Sequence, residues 1–291
     1  MADSMRAVRR GNALRSFAGC CAAAMVMALA ACATPAERFE QRAIDLGFTP
    51  SSLRGEGFRH RAYLAGPQAG ADTIHVYIEH DGTPWLGTSH VSEDTTPRIP
   101  FALELMARDV GPRLFLGRPC HFEPKDDPAC GPLVWTHRRY SPEVVASMVK
   151  ALRDFMALHH YRRAVLVGYS GGGTLAWLMA RQVPETVGVV TVAANLDIDR
   201  WTGIHGYTPL AGSLNPALLP ALPPAIPQLH YAGGRDRNVP PAVVESFHRG
   251  HPEARVVIIA DFDHACCWAE RWPELLGRAS GHPPAAGRQP D

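Results

Sequence analysis

Residues 164–180, AVLVGYSGGGTLAWLMA, carry two chemistries at once. Gly168-Tyr169-Ser170-Gly171-Gly172 has the spacing G-x-S-x-G, which pushes a serine hydroxyl out of a sharp strand-to-helix turn. Gly171 to Ala176 also fits the looser pattern G-x-G-x-x-A, in which glycine backbone approaches a dinucleotide pyrophosphate. A serine hydroxyl is a poor nucleophile at neutral pH, so the first chemistry needs a base, for which an imidazole is suited. The imidazolium formed then needs a carboxylate to orient it and stabilise its charge. The second chemistry needs an acid for a ribose after the next strand, where Asp197 and Asp199 follow VGVVTVAANL. A phosphate loop is excluded, because no Gly-Lys-Ser/Thr follows the glycines.

Alternating strands and helices must position these residues. A short amphipathic helix is expected over 39–46, strands over 59–64 and 73–79, a helix over 99–110 and a strand from Arg113. Residues 141–161 open with Ser, Pro and Glu, a helix start. Their apolar Val144, Val145, Met148, Leu152, Phe155 and Met156 recur at helical spacing, so one face is buried. AVLVGYS, VGVVTVAA, PQLHYAGG and ARVVIIA then read as strands, with helices over 171–181, 242–248 and 268–276. Continuous apolar strands separated by helices predict the α/β class, a mostly parallel, doubly wound sheet covered on both faces. Chemistry in such a sheet collects at the carboxyl ends of strands, and Ser170, Asp236 and His264 each fall just after one.

With nucleophile, acid and histidine in that chain order, residues 59–276 resemble the α/β-hydrolase superfamily. The resemblance implies Ser170 as nucleophile, His264 as general base and Asp236 as its orienting acid, with no cofactor and no metal. It also implies two backbone N–H donors for an oxyanion. One is Gly171. The other is Thr83, following Asp81-Gly82 where the superfamily commonly has His-Gly, with Gly82 permitting the turn. Asp261 and Asp263 are close enough to His264 to pin its loop instead. Residues 195–228, rich in Pro and Leu, read as a small cap insertion, with Trp201, Tyr207, Leu210, Leu218 and Leu222 either lining an acyl pocket or sealing the core. Trp85 and the loop bounded by Cys120 and Cys130 are expected as further walls.

The ends of the chain read as an address. Arg6, Arg9, Arg10 and Arg15 precede an uncharged apolar run over 17–31 that is short for a membrane span. It closes on Leu29-Ala30-Ala31-Cys32, which resembles the lipobox of bacterial lipoproteins. That resemblance implies removal of 1–31, a lipid on Cys32 and a membrane anchor, with Ala33 favouring an outer membrane facing the periplasm. A tether with its short helix over 32–58, a hydrolase domain over 59–279 and a disordered tail over 280–291 complete the expected organisation. The formal charge of +1 gives no reason to expect nucleic acid, and a small-molecule or lipid-like ester is the expected partner. Of seven cysteines, Cys120 and Cys130 bound a polar loop whose closure as a disulfide would contribute on the order of 3 kcal/mol. Cys266 and Cys267 are either a vicinal pair or buried free thiols. Two alternatives stand beside an esterase: a non-enzymatic lipoprotein binding an envelope component, and a peptidase or acyltransferase using the same three residues.

Overall fold

The computed structural model describes residues 33–66, 70–87, 89–122 and 127–279. Helix α1 (Pro35–Asp45) begins earlier than its apolar spacing suggests, because Thr34 and Glu37 form a reciprocal cap: each backbone N–H donates to the other's side chain. It leads into β1 (Thr49–Arg54), a strand that the sequence pattern did not flag. β1 pairs antiparallel with β2 (Arg59–Ala65), and β2 pairs antiparallel with β6 (Arg113–Leu116).

From β6 onward every pairing is parallel. The eight-stranded order is β1-β2-β6-β3-β7-β8-β9-β10, where β3 is Thr73–Ile78, β7 Arg163–Tyr169, β8 Thr186–Val192, β9 Gln228–Gly233 and β10 Arg255–Ile259. Two short strands, β4 (Trp85–Leu86) and β5 (His90–Val91), form a separate ribbon. This is the predicted α/β architecture, a mainly parallel sheet in which β2 alone runs against its neighbours.

Helices cover both faces. Against one lie α4 (Pro142–Leu158), α5 (Gly171–Ala180) and α7 (Pro241–Gly250), whose Met148, Leu152, Leu175 and Phe247 pack on Ile74, Val76 and Leu166. Against the other lie α1, α2 (Phe101–Met106) and α8 (Trp268–Ala279), whose Phe39, Leu103 and Trp272 pack on Tyr77, Val167 and Phe115. Alternate residues of β3 and β7 thus enter opposite cores, which is why residues 164–169 of β7 read as an unbroken apolar run, while His75 in β3 pairs with Asp109. Truncating a central residue such as Leu166 to Ala is worth about 2–5 kcal/mol on this basis. A polar link crosses the second core: Trp272 Nε1 donates to Tyr77 Oη at 3.1 Å, and that hydroxyl donates to Asp109 Oδ2 at 2.7 Å.

Two further helices complete the chain, α3 (Pro132–Trp135) and α6 (Ile198–His205). α6 lies in the long segment between β8 and β9, capped at its start by Asp197 Oδ1 accepting from Arg200 N and ended by Gly206 at φ 65°. Among the described residues no helix is long and apolar enough to cross a membrane. The leader, Cys32 and the tail from Ser280 lie outside the described residues.

Candidate active site

Ser170 stands between β7 and α5 with φ 51° and ψ −123°, a backbone conformation that side chains rarely adopt. The corner is held by Ser170 N–H donating to Val192 O at 2.8 Å and by Gly173 N–H donating to Ser170 O at 2.9 Å. The neighbouring glycines answer what the glycine run is for. A Cβ at Gly168 would collide with Gly172 O, one at Gly172 with Ile78 O, and one at Gly173 with Ala194. The helix therefore sits directly on the strand edges, and protein atoms fill the space that a pyrophosphate would need. Asp197 and Asp199 are likewise occupied: both accept from Asn215 Nδ2 at 3.0 Å, which fixes the start of α6. The dinucleotide reading has neither its cradle nor its acid.

Asp236 follows β9 and His264 follows β10, and the structure brings them together. Asp236 is 3% exposed; its Oδ1 accepts from the N–H groups of Asn238 and Val239 at 2.8 Å each, and its Oδ2 accepts from His264 Nδ1 at 2.7 Å. A carboxylate only accepts, so Nδ1 carries a proton there, and in the neutral ring Nε2 is the nitrogen with the free lone pair. Tyr169 Oη donates to His264 O at 2.6 Å, and Asp263 Oδ1 accepts from the N–H groups of Ala265 and Cys266, so the loop is pinned from both sides. Asp263 does this as expected, while Asp261 pairs with Arg235 at the surface. Ser170 and His264 line one cavity of about 850 Å³; among the described residues no hydrogen bond joins Ser170 Oγ to His264 Nε2.

The turn after β3 departs from expectation. Gly82 adopts φ 66° as predicted, and a Cβ there would collide with Thr95 O. That same carbonyl accepts the Thr83 N–H at 3.1 Å, so Thr83 does not offer a free donor, contrary to the sequence reading. The acceptor is twelve residues away in an irregular strap, beyond anything local patterning shows. Along this turn His80 N–H donates to Glu79 Oε1 and Gly82 N–H to His80 Nδ1. Of the N–H groups of this turn, Asp81 N–H has no acceptor among the described residues, and neither has Gly171 N–H after Ser170. Burial holds the His80 ring neutral, down to about 4, with Nε2 donating to Ile99 O at 3.0 Å.

Asp81 is the anchor that the sequence did not reveal as such. Its carboxylate receives Arg118 Nη1, Arg139 Nη1 at 3.0 Å and Tyr140 Oη at 2.6 Å, and it abuts the Cα of Gly171 so closely that a Cβ there would strike it. Burial pushes its pKa up, but the two guanidiniums outweigh that and hold it well below the usual carboxylate range. Glu79 next to it has no such pairing, and burial pushes it up to about 8. Two guanidiniums thus stand against one carboxylate beside Gly171. Arg118 follows β6 just as Asp236 follows β9, so the strand-end rule could have flagged it.

No protein-family model and no curated protein matches the chain; solved structures do. A Pyrococcus furiosus esterase superposes with a TM-score of 0.56 at 14% identity, over 81% of this chain and 93% of that one. A membrane phospholipase A gives 0.54 at 15%, over 91% and 99%. A Pyrococcus horikoshii acylaminoacyl peptidase gives 0.55 at 13%, over 84% of this chain and 43% of the peptidase. The chain has the α/β-hydrolase fold.

In this α/β-hydrolase fold the segment between β8 and β9 forms the roof of the cavity. Trp201, Tyr207 and Leu210 line it as anticipated, together with Trp85. Leu218 instead faces solvent at 75% exposure, and Leu222 is buried in the core. Trp201 Nε1 and His205 Nε2 both hydrogen-bond to Asn238 O at 2.8 Å, tying the roof to the Asp236 loop. The Cys120–Cys130 loop forms no wall among its described residues. Its disulfide is present, with Cα atoms 5.3 Å apart, and it braces the strap: Thr95 Oγ1 donates to Cys120 O and Phe122 N–H to Thr96 Oγ1. Cys266 and Cys267 form a vicinal disulfide rather than buried thiols; Cys266 is exposed. Among the described residues no group of three His, Cys, Asp or Glu side chains is arranged to hold a metal.

Proposed function

We propose that this protein is a serine hydrolase that cleaves carboxylic esters through an acyl-enzyme, with Ser170 as nucleophile, His264 as base and Asp236 as orienting acid. The observation that carries it is the 2.7 Å hydrogen bond from His264 Nδ1 to the buried Asp236, in the cavity that Ser170 lines from its strained corner. Ser170 Oγ attacks the ester carbonyl carbon as its proton passes to His264 Nε2; the tetrahedral oxyanion then collapses, and the alcohol leaves with the proton from His264. Water repeats the sequence on the acyl-enzyme and releases the acid. Gly171 N–H is one oxyanion donor, and Asp81 N–H replaces Thr83 as the second, being the N–H of the turn with no acceptor among the described residues. The Arg118–Asp81–Arg139 cluster favours that negative charge from behind.

The same proposal places the protein on a membrane through a lipid on Cys32, facing the periplasm, which the lipobox-like LAAC supports. Two acyl chains on one cysteine anchor a protein stably. A fluorophosphonate probe and a panel of p-nitrophenyl esters and amides test the chemistry. Labelling and ester turnover that vanish in Ser170→Ala are expected, and a well-folded protein that neither labels nor turns over esters would count against it. Cys32→Ser is expected to release the protein from the membrane fraction.

A further inference from the structure

Asn195 follows β8, the strand next to the one that delivers Ser170, and lines the same cavity. It is 2% exposed, yet its Oδ1 is buried with no hydrogen-bond partner, and its Nδ2 makes no hydrogen bond among the described residues. Apart from the reacting Ser170, the neighbouring buried side chains are spoken for: Asp81 and Asp236 are saturated, and His80 uses both ring nitrogens. Asn195's own backbone is fixed, because Asn195 O accepts from Thr174 Oγ1 at 2.6 Å. Two residues earlier Ala193 adopts φ 49° while its N–H donates to Tyr231 O. The carboxamide is therefore held at the cavity by a rigid, partly strained strand end, with its donors and its acceptor unused. Buried amides without partners are costly and uncommon in folded proteins, and they are retained where a ligand completes them.

We infer that Asn195 is a specificity-determining residue that hydrogen-bonds a hydroxyl or amide carried by the acyl group, so the preferred substrates are polar, hydroxyacyl or acylamino-type esters rather than plain hydrocarbon ones. This rests on the serine-hydrolase reading above. A carboxamide both donates and accepts, and a hydroxyl or an amide matches both functions. A plain acyl chain filling the cavity would leave the Asn195 carboxamide unpaired, which is how a site built for a polar group rejects the analogue lacking it. The aromatic faces of Trp201 and Tyr207 provide apolar contact for the rest of the group without competing for that hydrogen bond.

The test compares kcat/KM for p-nitrophenyl 3-hydroxybutyrate, p-nitrophenyl N-acetylglycinate and p-nitrophenyl butyrate, each in the full chain, in Asn195→Leu and in the isosteric Asn195→Asp. The wild type is expected to favour at least one polar ester over butyrate by about tenfold or more, one hydrogen bond's worth of discrimination. In Asn195→Leu that ratio should fall towards one, and the thermal midpoint should hold or rise, because a buried unpaired amide has been removed. Should the leucine variant unfold, Asn195→Asp, which keeps the shape and loses the donors, is expected to shift the ratio in the same direction. A wild-type ratio near one, or a ratio unchanged in both variants, overturns the subsite while leaving the serine hydrolase intact. Butyrate turnover that survives Ser170→Ala overturns the reading beneath it.

Discussion

The floor and the roof of the cavity are held by different forces. On the floor, Asp81 binds two guanidiniums and a phenol, Asp236 takes three donors, and glycines bring α5 against bare strand backbone. On the roof, His205 stacks on Tyr207 and Trp201 meets both edge-on, with ring centroids 5.0–5.8 Å apart, and Tyr207 is 53% exposed. Atoms that must meet at bonding distance are fixed by buried polar networks that fail badly when one member is removed. Atoms that only shape the entrance are held by surface ring contacts that tolerate change.

The largest expected effect lies at the floor's reacting groups. Ser170→Ala and His264→Ala should each lower kcat by about 10⁴-fold or more with the fold retained, and a His264→Ala enzyme within tenfold of the wild type would remove that residue from the mechanism. Next comes Asp81→Asn, which strands two buried guanidiniums; urea unfolding should show a loss of about 3 kcal/mol. If Trp201→Ala costs as much, the contrast between floor and roof fails.

Glu79 sharpens the contrast further. Its carboxyl is raised by burial from 4.5 to about 8, so the folded state keeps a proton that the unfolded chain releases. The stability this contributes is full below pH 4.5 and is lost as pH rises towards 8. Glu79→Gln should therefore gain on the wild type between pH 5 and about 8 in urea titrations; parallel curves would mean that Glu79 titrates like an exposed carboxylate. The smallest effect is expected from Trp201→Ala, a few-fold rise in KM with kcat nearly constant, read from ester kinetics.

Legibility followed the range of the interactions. Ser170, Asp236 and His264 could be placed on strand ends because apolar runs and glycines mark those ends locally, and the α/β sheet followed from the same alternation. β1 escaped because Thr-Pro-Ser-Ser-Leu-Arg has no apolar rhythm; it is a strand by virtue of its pairing with β2. Asp81 read only as part of the Asp81-Gly82 turn before Thr83, because Arg118 and Arg139, which give it its role, are 37 and 58 positions away. Thr83 failed as a donor for the same kind of reason. Backbone donors are counted by geometry, and the strap carrying Thr95 O is not written in any periodicity. Asn195 was passed over as the first letter of a proline-rich insertion.

The link from Trp272 to Tyr77 sets an order of events. Tyr77 belongs to the third strand to be synthesised, yet the indole that covers it arrives with the last described helix, just after the loop that carries His264. A chain made N-terminus first leaves the Trp272 side of Tyr77 uncovered until α8 is released, although α1 and α2 already lie on that face. Native packing of this core must then wait for α8. A protein clipped inside α8 would be degraded readily, although Ser170, Asp236 and His264 would all still be present.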